Sequence, residues 1–481
     1  MAPMQIEVKY KIFWGLCAAF LAVCAIFSLT MNPIVDSASI DSAVFAYIGD
    51  GMVKGILPYR DMFDHKGPLL YLINWFGVSL GIGYQGVWII ESTMLVLSFS
   101  FAVCELSKML NWRGVLLALF PIGWLFERLS VGGNMTETYA VYFSLIAWSS
   151  LARDVWNRHL RILTIYVQGF VAGAILMLRP NMIGFCLPVA IAVISSLIRS
   201  GDFAQFFKNL GWGAAGLLTA VTPIVAWLSA NGILSDFWNC YISFNIGYMS
   251  NLKNSIDSNF AVIPIALALN VVALVCSRDK LRLLLFYNLA YLCFASLLVV
   301  MKMQYEHYFI PILPALIVPF AVILNRLMDR LGSFVIVAVL CVFAPLVVYW
   351  SSTHIIDTGA IKRSVLSCRL PRFETRSREV EAKAFQEALK SESSALVLGN
   401  ACEVYHCLGV RSKSRYFYTS VVRFSPEIGA SVEKSLVDKV DDYVICRKND
   451  HYHPDYILNA LRENYHLVSD TEHLALWESN P

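Results

Sequence analysis

Long apolar runs separated by short polar segments recur over residues 1–350, and the rest of the chain reads differently. The runs cover about 12–31, 84–106, 115–129, a stretch ending at Arg153, 162–178, 182–197, 212–230, 260–275, 283–301, 309–324 and 334–350. Most are about 17–25 residues long, enough for a helix to cross ~30 Å of hydrocarbon. The pattern predicts about 11 membrane-spanning helices. Between the first two runs lies a polar loop with two shorter amphipathic segments. In the first, residues 41–52, Asp41, Phe45, Ile48 and Met52 share one helical face, and Gly55 is placed to stop the helix. The second opens at Gly67-Pro68, where proline suits a first helical turn, and runs to about residue 81. Both read as helices lying in the membrane interface.

Beyond about Ser351 the apolar runs give way to strands and helices of soluble character. ALVLGN, SRYFYT, DDYVIC, YHLVSD and LALWES read as strands, and 375–391, 426–440 and 454–463 read as helices. The expected organisation is a membrane module over 1–350 and a small α/β domain over 351–481. Neither an internal repeat nor a low-complexity segment is apparent.

Composition agrees with this pattern. The chain is 57% hydrophobic and 15% charged, with a mean hydropathy of +0.58. A formal charge of +3 argues against a nucleic-acid partner, and the placement of charge says more than its sum. Lys9 and Lys11 precede the first run, which puts the N-terminus in the cytoplasm. If 68–81 lies flat, the basic clusters at Lys108/Arg113, Arg153–Arg161, Arg199/Lys208, Arg278–Arg282 and Arg326/Arg330 all fall on the cytoplasmic side. Counting 68–81 as a span would put them outside. The flat arrangement leaves the first loop and the C-terminal domain outside. The first run lacks a cleavage site and reads as a signal anchor. Most of the twelve cysteines sit in apolar runs as small buried side chains; Cys368, Cys402, Cys407 and Cys446 lie in the tail, and no CxxC spacing marks a metal site.

Candidate chemistry gathers on the outer side. Asp41 fits a helix N-cap, or a general base that takes a proton from an attacking hydroxyl. Asp64-His65-Lys66 puts both charge signs at one point before an apolar helix. This suits either a solvated turn beside headgroups or a phosphate held by the two basic residues and helix N-terminal amides. Glu137 opens a span, as a dipole partner or a site carboxylate. Arg179 stands between two spans, and Lys302, Glu306 and His307 stand at the end of another. Tyr305, Tyr308, Asn245 and Tyr248 are interfacial in character. A lipid-linked phosphosugar needs this combination: access from the bilayer, cations for the phosphate and a carboxylate for the acceptor.

The stretch DSAVFAYIGDGMVKGILPYRDMFDHKGPLLYLIN resembles the first-loop signature of bacterial GT-C superfamily membrane glycosyltransferases. These include the protein O-mannosyltransferase-like enzymes of glycosyltransferase family 39 and the lipid A aminoarabinose transferases. GGNMTETYA, LRPN, SFNIGYMS and YEHYFIPILP are similar to later landmarks of that group, and VLGNACEVYHCLGVRSKSRYFYT resembles its tail domain. The resemblance implies a polyprenyl-phosphate sugar donor, an inverting displacement and a glycan, lipid or protein acceptor at the outer face of the bacterial plasma membrane. It puts the catalytic aspartate at Asp41; Glu137 reads separately as assisting the acceptor or orienting the site. The resemblance puts the donor-phosphate lysine at Lys66, with His65, Arg60, Arg179, Lys302 and His307 as further phosphate-binding candidates. The aminoarabinose transferases have a glutamate where this chain has His65. No metal site is therefore carried over, and a divalent metal is left open. A flippase of lipid-linked sugars and a non-catalytic envelope-assembly protein are the competing readings.

Overall fold

The computed structural model describes residues 15, 21, 29–32, 38–251, 261–300, 305–332, 334–354, 381–448 and 453–481. The first apolar run lies mostly outside the described residues, as do Asp36, Lys302 and Cys368.

The molecule is mostly helical. The first loop carries α1 (Ile40–Val53) and α2 (Pro68–Val78). After it come α3 (Gln85–Ser107), α4 (Trp112–Ser130), α5 (Thr136–Asn157), α6 (Ile162–Leu176), α7 (Cys186–Ser200) and α8 (Phe203–Ala230). Then follow the short α9 (Leu234–Phe237), a π-helical turn Trp238–Ser243, α10 (Phe244–Asn251), α11 (Val262–Val275) and α12 (Asp279–Val300). Last in the helical part are α13 (Ile317–Leu331) and α14 (Phe334–His354). Among the described residues, α3, α8, α12 and the stretch Glu306–Leu331 are long and apolar enough to cross a membrane.

Two helices depart from the sequence pattern. The expected span 309–324 is a 3-10 helix, Glu306–Leu316, that passes into α13. Pro311 and Pro314 lack the N–H that an α-helical ladder needs, so this stretch winds more tightly. The expected span 212–230 begins earlier, because Asp202 caps α8 by accepting from Gln205 N at 2.9 Å.

The C-terminal part folds as a four-stranded sheet in the order β1-β2-β4-β3. β1 (Ala395–Leu398) and β2 (Tyr443–Arg447) are parallel; β4 (Leu474–Ser479) is antiparallel to β2 and to β3 (Tyr465–Asp470). α15 (Glu403–Leu408) and α16 (Pro426–Val437) lie in the crossover, and α17 (Asp455–Asn464) precedes β3. SRYFYT is not a strand. It meets β1 through one isolated bridge, Val397–Tyr418, and its other side is spent on the first loop. Of the charged helix expected at 375–391, positions 375–380 lie outside the described residues, and past residue 383 the chain is in turns.

Candidate active site

The site is built on α1, on the turn that precedes α2, and on the N-terminal end of α5. Ser39, not Asp41, occupies the cap of α1, so Asp41 stands in the first helical turn. Phe45, Ile48 and Met52 on its face are buried, while Asp41 is exposed. Asp41 forms no hydrogen bond or ion pair among the described residues.

The turn before α2 is tied from every side. Tyr59 OH donates to Lys66 O at 2.8 Å, the Lys66 N–H donates to Tyr71 OH at 3.1 Å, and Asn245 Nδ2 donates to His65 O at 2.7 Å. Gly67 allows the tightest approach: a Cβ there would lie 2.1 Å from Met177 O. The amides of Gly67 and Leu69 donate to Leu178 O and Met177 O at 3.2 and 3.1 Å. Helix N-terminal amides were expected to help hold a phosphate at this turn. These two are already paired with the end of α6, which leaves side-chain cations as the donors there.

Within the turn, Asp64 is buried and its two oxygens accept from two tyrosines, Tyr71 OH at 2.7 Å and Tyr418 OH at 2.8 Å. Burial works against its charge. Hydrogen bonding from His65 and Tyr71 and the nearby positive charge of Lys66 outweigh that and hold the carboxyl down at about 2. His65 Nδ1 lies 3.3 Å from Asp64 Oδ1, and His65 Nε2 lies 3.2 Å from Lys66 Nζ. Burial, followed by the charge of Lys66, lowers the His65 pKa below the ordinary histidine value, so the ring is neutral near pH 7. Among the described residues no three His, Cys, Asp or Glu side chains gather in a group that could hold a metal.

Glu137, at the start of α5, is buried and pairs with Arg179, which precedes a 3-10 turn at Pro180–Met182. Thr136 Oγ1 donates to Glu137 at 2.7 Å, and His307 Nε2 lies 3.7 Å from it. The Arg179 guanidinium also stacks over Tyr308 at 4.2 Å. His307 feels the charges of Glu137, Asp41, Arg179 and Lys66, and Glu137 feels that of Lys66 as well. Asp41, Lys66, His65, Asp64, Glu137, Arg179 and His307 thus form one electrostatic cluster. Arg60 is not part of it: its side chain is half exposed and pairs with its neighbour Asp61 at 3.0 Å.

Beneath the cluster lies a polar knot that sequence reasoning missed. Glu91, buried in α3, accepts from Asn134 N at 2.7 Å, Thr138 Oγ1 at 2.9 Å and Tyr142 OH at 3.3 Å. The Asn134 side chain exchanges hydrogen bonds with Asn74 at 2.8 and 3.0 Å and donates to Ser42 Oγ at 3.0 Å. Gly132, Gly133 and Asn134 all have positive φ, which turns the chain sharply into α5. The knot fastens α1 (through Ser42), α2 (through Asn74) and α5 to α3. It thereby fixes the helices that carry Asp41 and Glu137. The available signal was a carboxylate, Glu91, inside an apolar run of spanning length.

The tail segment 405–418 closes over the first loop. Arg411 pairs with Asp50 at 2.5 Å and stacks over Tyr47 at 4.0 Å. Arg415 donates to Tyr59 O at 2.7 and 3.1 Å, and Phe63 N donates to Arg415 O at 2.8 Å. Tyr47 stacks on Phe417 at 4.4 Å, and Tyr84 stacks on His406 at 4.1 Å.

No protein-family model matches the sequence, and no curated protein matches it either. Solved structures do match. ArnT from Cupriavidus metallidurans bound to undecaprenyl phosphate superposes with a TM-score of 0.64 at 13% identity, covering 99% of this chain and 98% of that one. The apo form of the same protein gives 0.62 at 12% identity, with 98% of each chain covered. The chain therefore has the fold of ArnT over nearly its whole length.

Proposed function

We propose that the protein is an integral-membrane glycosyltransferase that moves a sugar from a polyprenyl-phosphate donor to a cell-envelope acceptor at the outer face of the plasma membrane. The observation that carries this reading is the whole-chain likeness to ArnT, a GT-C transferase whose structure contains undecaprenyl phosphate. The clustering of Asp41 with Lys66, Arg179 and His307 is consistent with it.

The chemistry is a single displacement. Asp41 takes the proton of an acceptor hydroxyl, whose oxygen attacks the anomeric carbon of the sugar. The bond from that carbon to the phosphate oxygen breaks, the electron pair leaves with the phosphate, and the configuration inverts. Lys66 holds the phosphate as its second negative charge develops, and Arg179 and His307, which lie beside Glu137, are further hydrogen-bond donors for its oxygens. Glu137 already neutralises Arg179, so its part is to hold that guanidinium and His307 toward the site.

In the membrane we place about 11 spans over residues 1–350, with the N-terminus in the cytoplasm and the 351–481 domain outside. The ends of α5 support this arrangement. Glu137 lies at one end, while Arg153 near the other pairs with Glu105 at 3.0 Å. The 22 residues of α5 measure about 33 Å at the helical rise, close to the ~30 Å thickness of the hydrocarbon core. The test is to incubate the purified protein with a panel of polyprenyl-phosphate sugars and acceptors and determine the anomeric configuration of the product. Transfer with inversion is expected. Movement of intact lipid-linked sugar between leaflets, with no bond cleaved, would make the protein a flippase.

A further inference from the structure

The cation assigned to the phosphate is not held by its own turn alone. An ammonium group can only donate hydrogen bonds. At 3.2 Å from Lys66 Nζ, His65 Nε2 must therefore accept, which leaves the ring proton on Nδ1, facing Asp64 Oδ1 at 3.3 Å. Asp64 is fixed in turn by Tyr71 OH and Tyr418 OH. Tyr418 belongs to the tail domain: it bridges to Val397 of β1, and the preceding Phe417 stacks on Tyr47 of α1. A continuous chain of contacts thus runs from the tail sheet through Tyr418, Asp64 and His65 to the Lys66 ammonium.

We propose that Tyr418, Asp64 and His65 are positioning residues for Lys66, so that the phosphate-holding end of the site is assembled from the first loop and the tail domain together. This rests on the reading of Lys66 as the donor-phosphate cation. A lysine carries a flexible four-carbon stem and three rotatable donors, and ordering it on binding costs affinity. With one N–H given to His65, the ammonium is held before the ligand arrives and its other two N–H groups remain for phosphate oxygens. The negative charge of Asp64, 3.3 Å from Nδ1, favours the His65 proton on that far nitrogen, so the near nitrogen stays an acceptor. Tyr418 sets the angle of that carboxylate, and by doing so makes donor affinity depend on the docked tail.

The test is a double-mutant cycle on the full-length protein in detergent, read as the dissociation constant of undecaprenyl phosphate at fixed pH. Lys66→Ala should weaken binding. Tyr418→Phe and His65→Gln should each weaken it about five- to tenfold, the size expected for one lost hydrogen bond to a charged or polar partner. Neither should weaken it further when combined with Lys66→Ala, because each acts through the ammonium. A purely structural role for Tyr418 would add its loss to that of Lys66→Ala, or leave binding unchanged in the wild-type background; either result overturns the inference. Asp64→Asn is the more disruptive variant, and the two milder ones carry the test if it does not fold. If Lys66→Ala binds undecaprenyl phosphate as the wild type does, Lys66 is not the phosphate cation, and the inference falls with that assignment.

Discussion

Asp41 and Asp64 belong to the same loop, and their surroundings are opposites. Asp64 is buried, accepts from two tyrosine hydroxyls, faces an imidazole N–H and ties the loop to the tail domain. Asp41 is exposed in the first turn of α1 and has no hydrogen bond or ion pair among the described residues. A buried carboxylate whose two oxygens each already accept from a tyrosine hydroxyl is suited to positioning its neighbours. One held by its helix alone keeps its lone pairs free, which is what the proposed base requires. The difference lies in the neighbours, not in the residue type.

Substitutions that exchange the two kinds of carboxylate should separate stability from activity. Glu137 extends the buried kind, since it is the counter-ion of a mostly buried arginine. Glu137→Gln leaves Arg179 without that counter-ion and should cost about 3–5 kcal/mol of stability. The loss should appear in thermal or denaturant unfolding in detergent and should exceed any effect on donor affinity.

Next in size is the pH dependence carried by Asp64. Its folded pKa of about 2 lies below the ordinary aspartate value, so it contributes stability above about pH 4 that is lost as pH falls toward 2. The contribution is roughly 2–3 kcal/mol for a depression of this size. Asp64→Asn should flatten the unfolding curve in that window. An unchanged acid limb in the variant would show that other carboxylates control it.

Smaller still is the docking of the tail through Arg411. Its ion pair with Asp50 is partly exposed and its stacking on Tyr47 is close. Arg411→Ala should lower stability by about 1–2 kcal/mol, with proteolysis of the tail as a sensitive readout. The smallest effect belongs to Arg60, whose partner Asp61 shares its exposure. Arg60→Ala should change donor affinity less than about twofold, as for most surface pairs.

The sequence carried the helical framework because apolar runs of spanning length leave the chain few alternatives. Strands YHLVSD and LALWES come out at the bounds their alternation predicts. At 309–324 the stretch is long and apolar enough to cross, as hydropathy predicts, but hydropathy does not show the two prolines that wind its first part into a 3-10 helix. The sequence pattern misled at SRYFYT, whose three consecutive aromatics pack on the first loop and which meets the sheet through a single bridge. The site was legible in part. Its charged residues could be picked out, since charge is rare in this chain, and the expected grouping includes Asp41, Lys66, Glu137, Arg179 and His307. What could not be read was who holds whom. Asp64 and Tyr418 are 354 positions apart, and Glu91 reaches Asn134 across 43. No local pattern encodes such pairs. Arg60 shows the converse: its charge drew attention, yet its adjacent partner Asp61 already satisfies it.

The most direct test of the account is a single-turnover measurement of polyprenyl phosphate release from a saturating polyprenyl-phosphate sugar, comparing wild type with Asp41→Asn. The account predicts that the variant binds donor and unfolds as the wild type does, while release falls by about 10²–10⁴-fold, the range for loss of a general base. Release at the wild-type rate from a folded, donor-bound Asp41→Asn protein would contradict it.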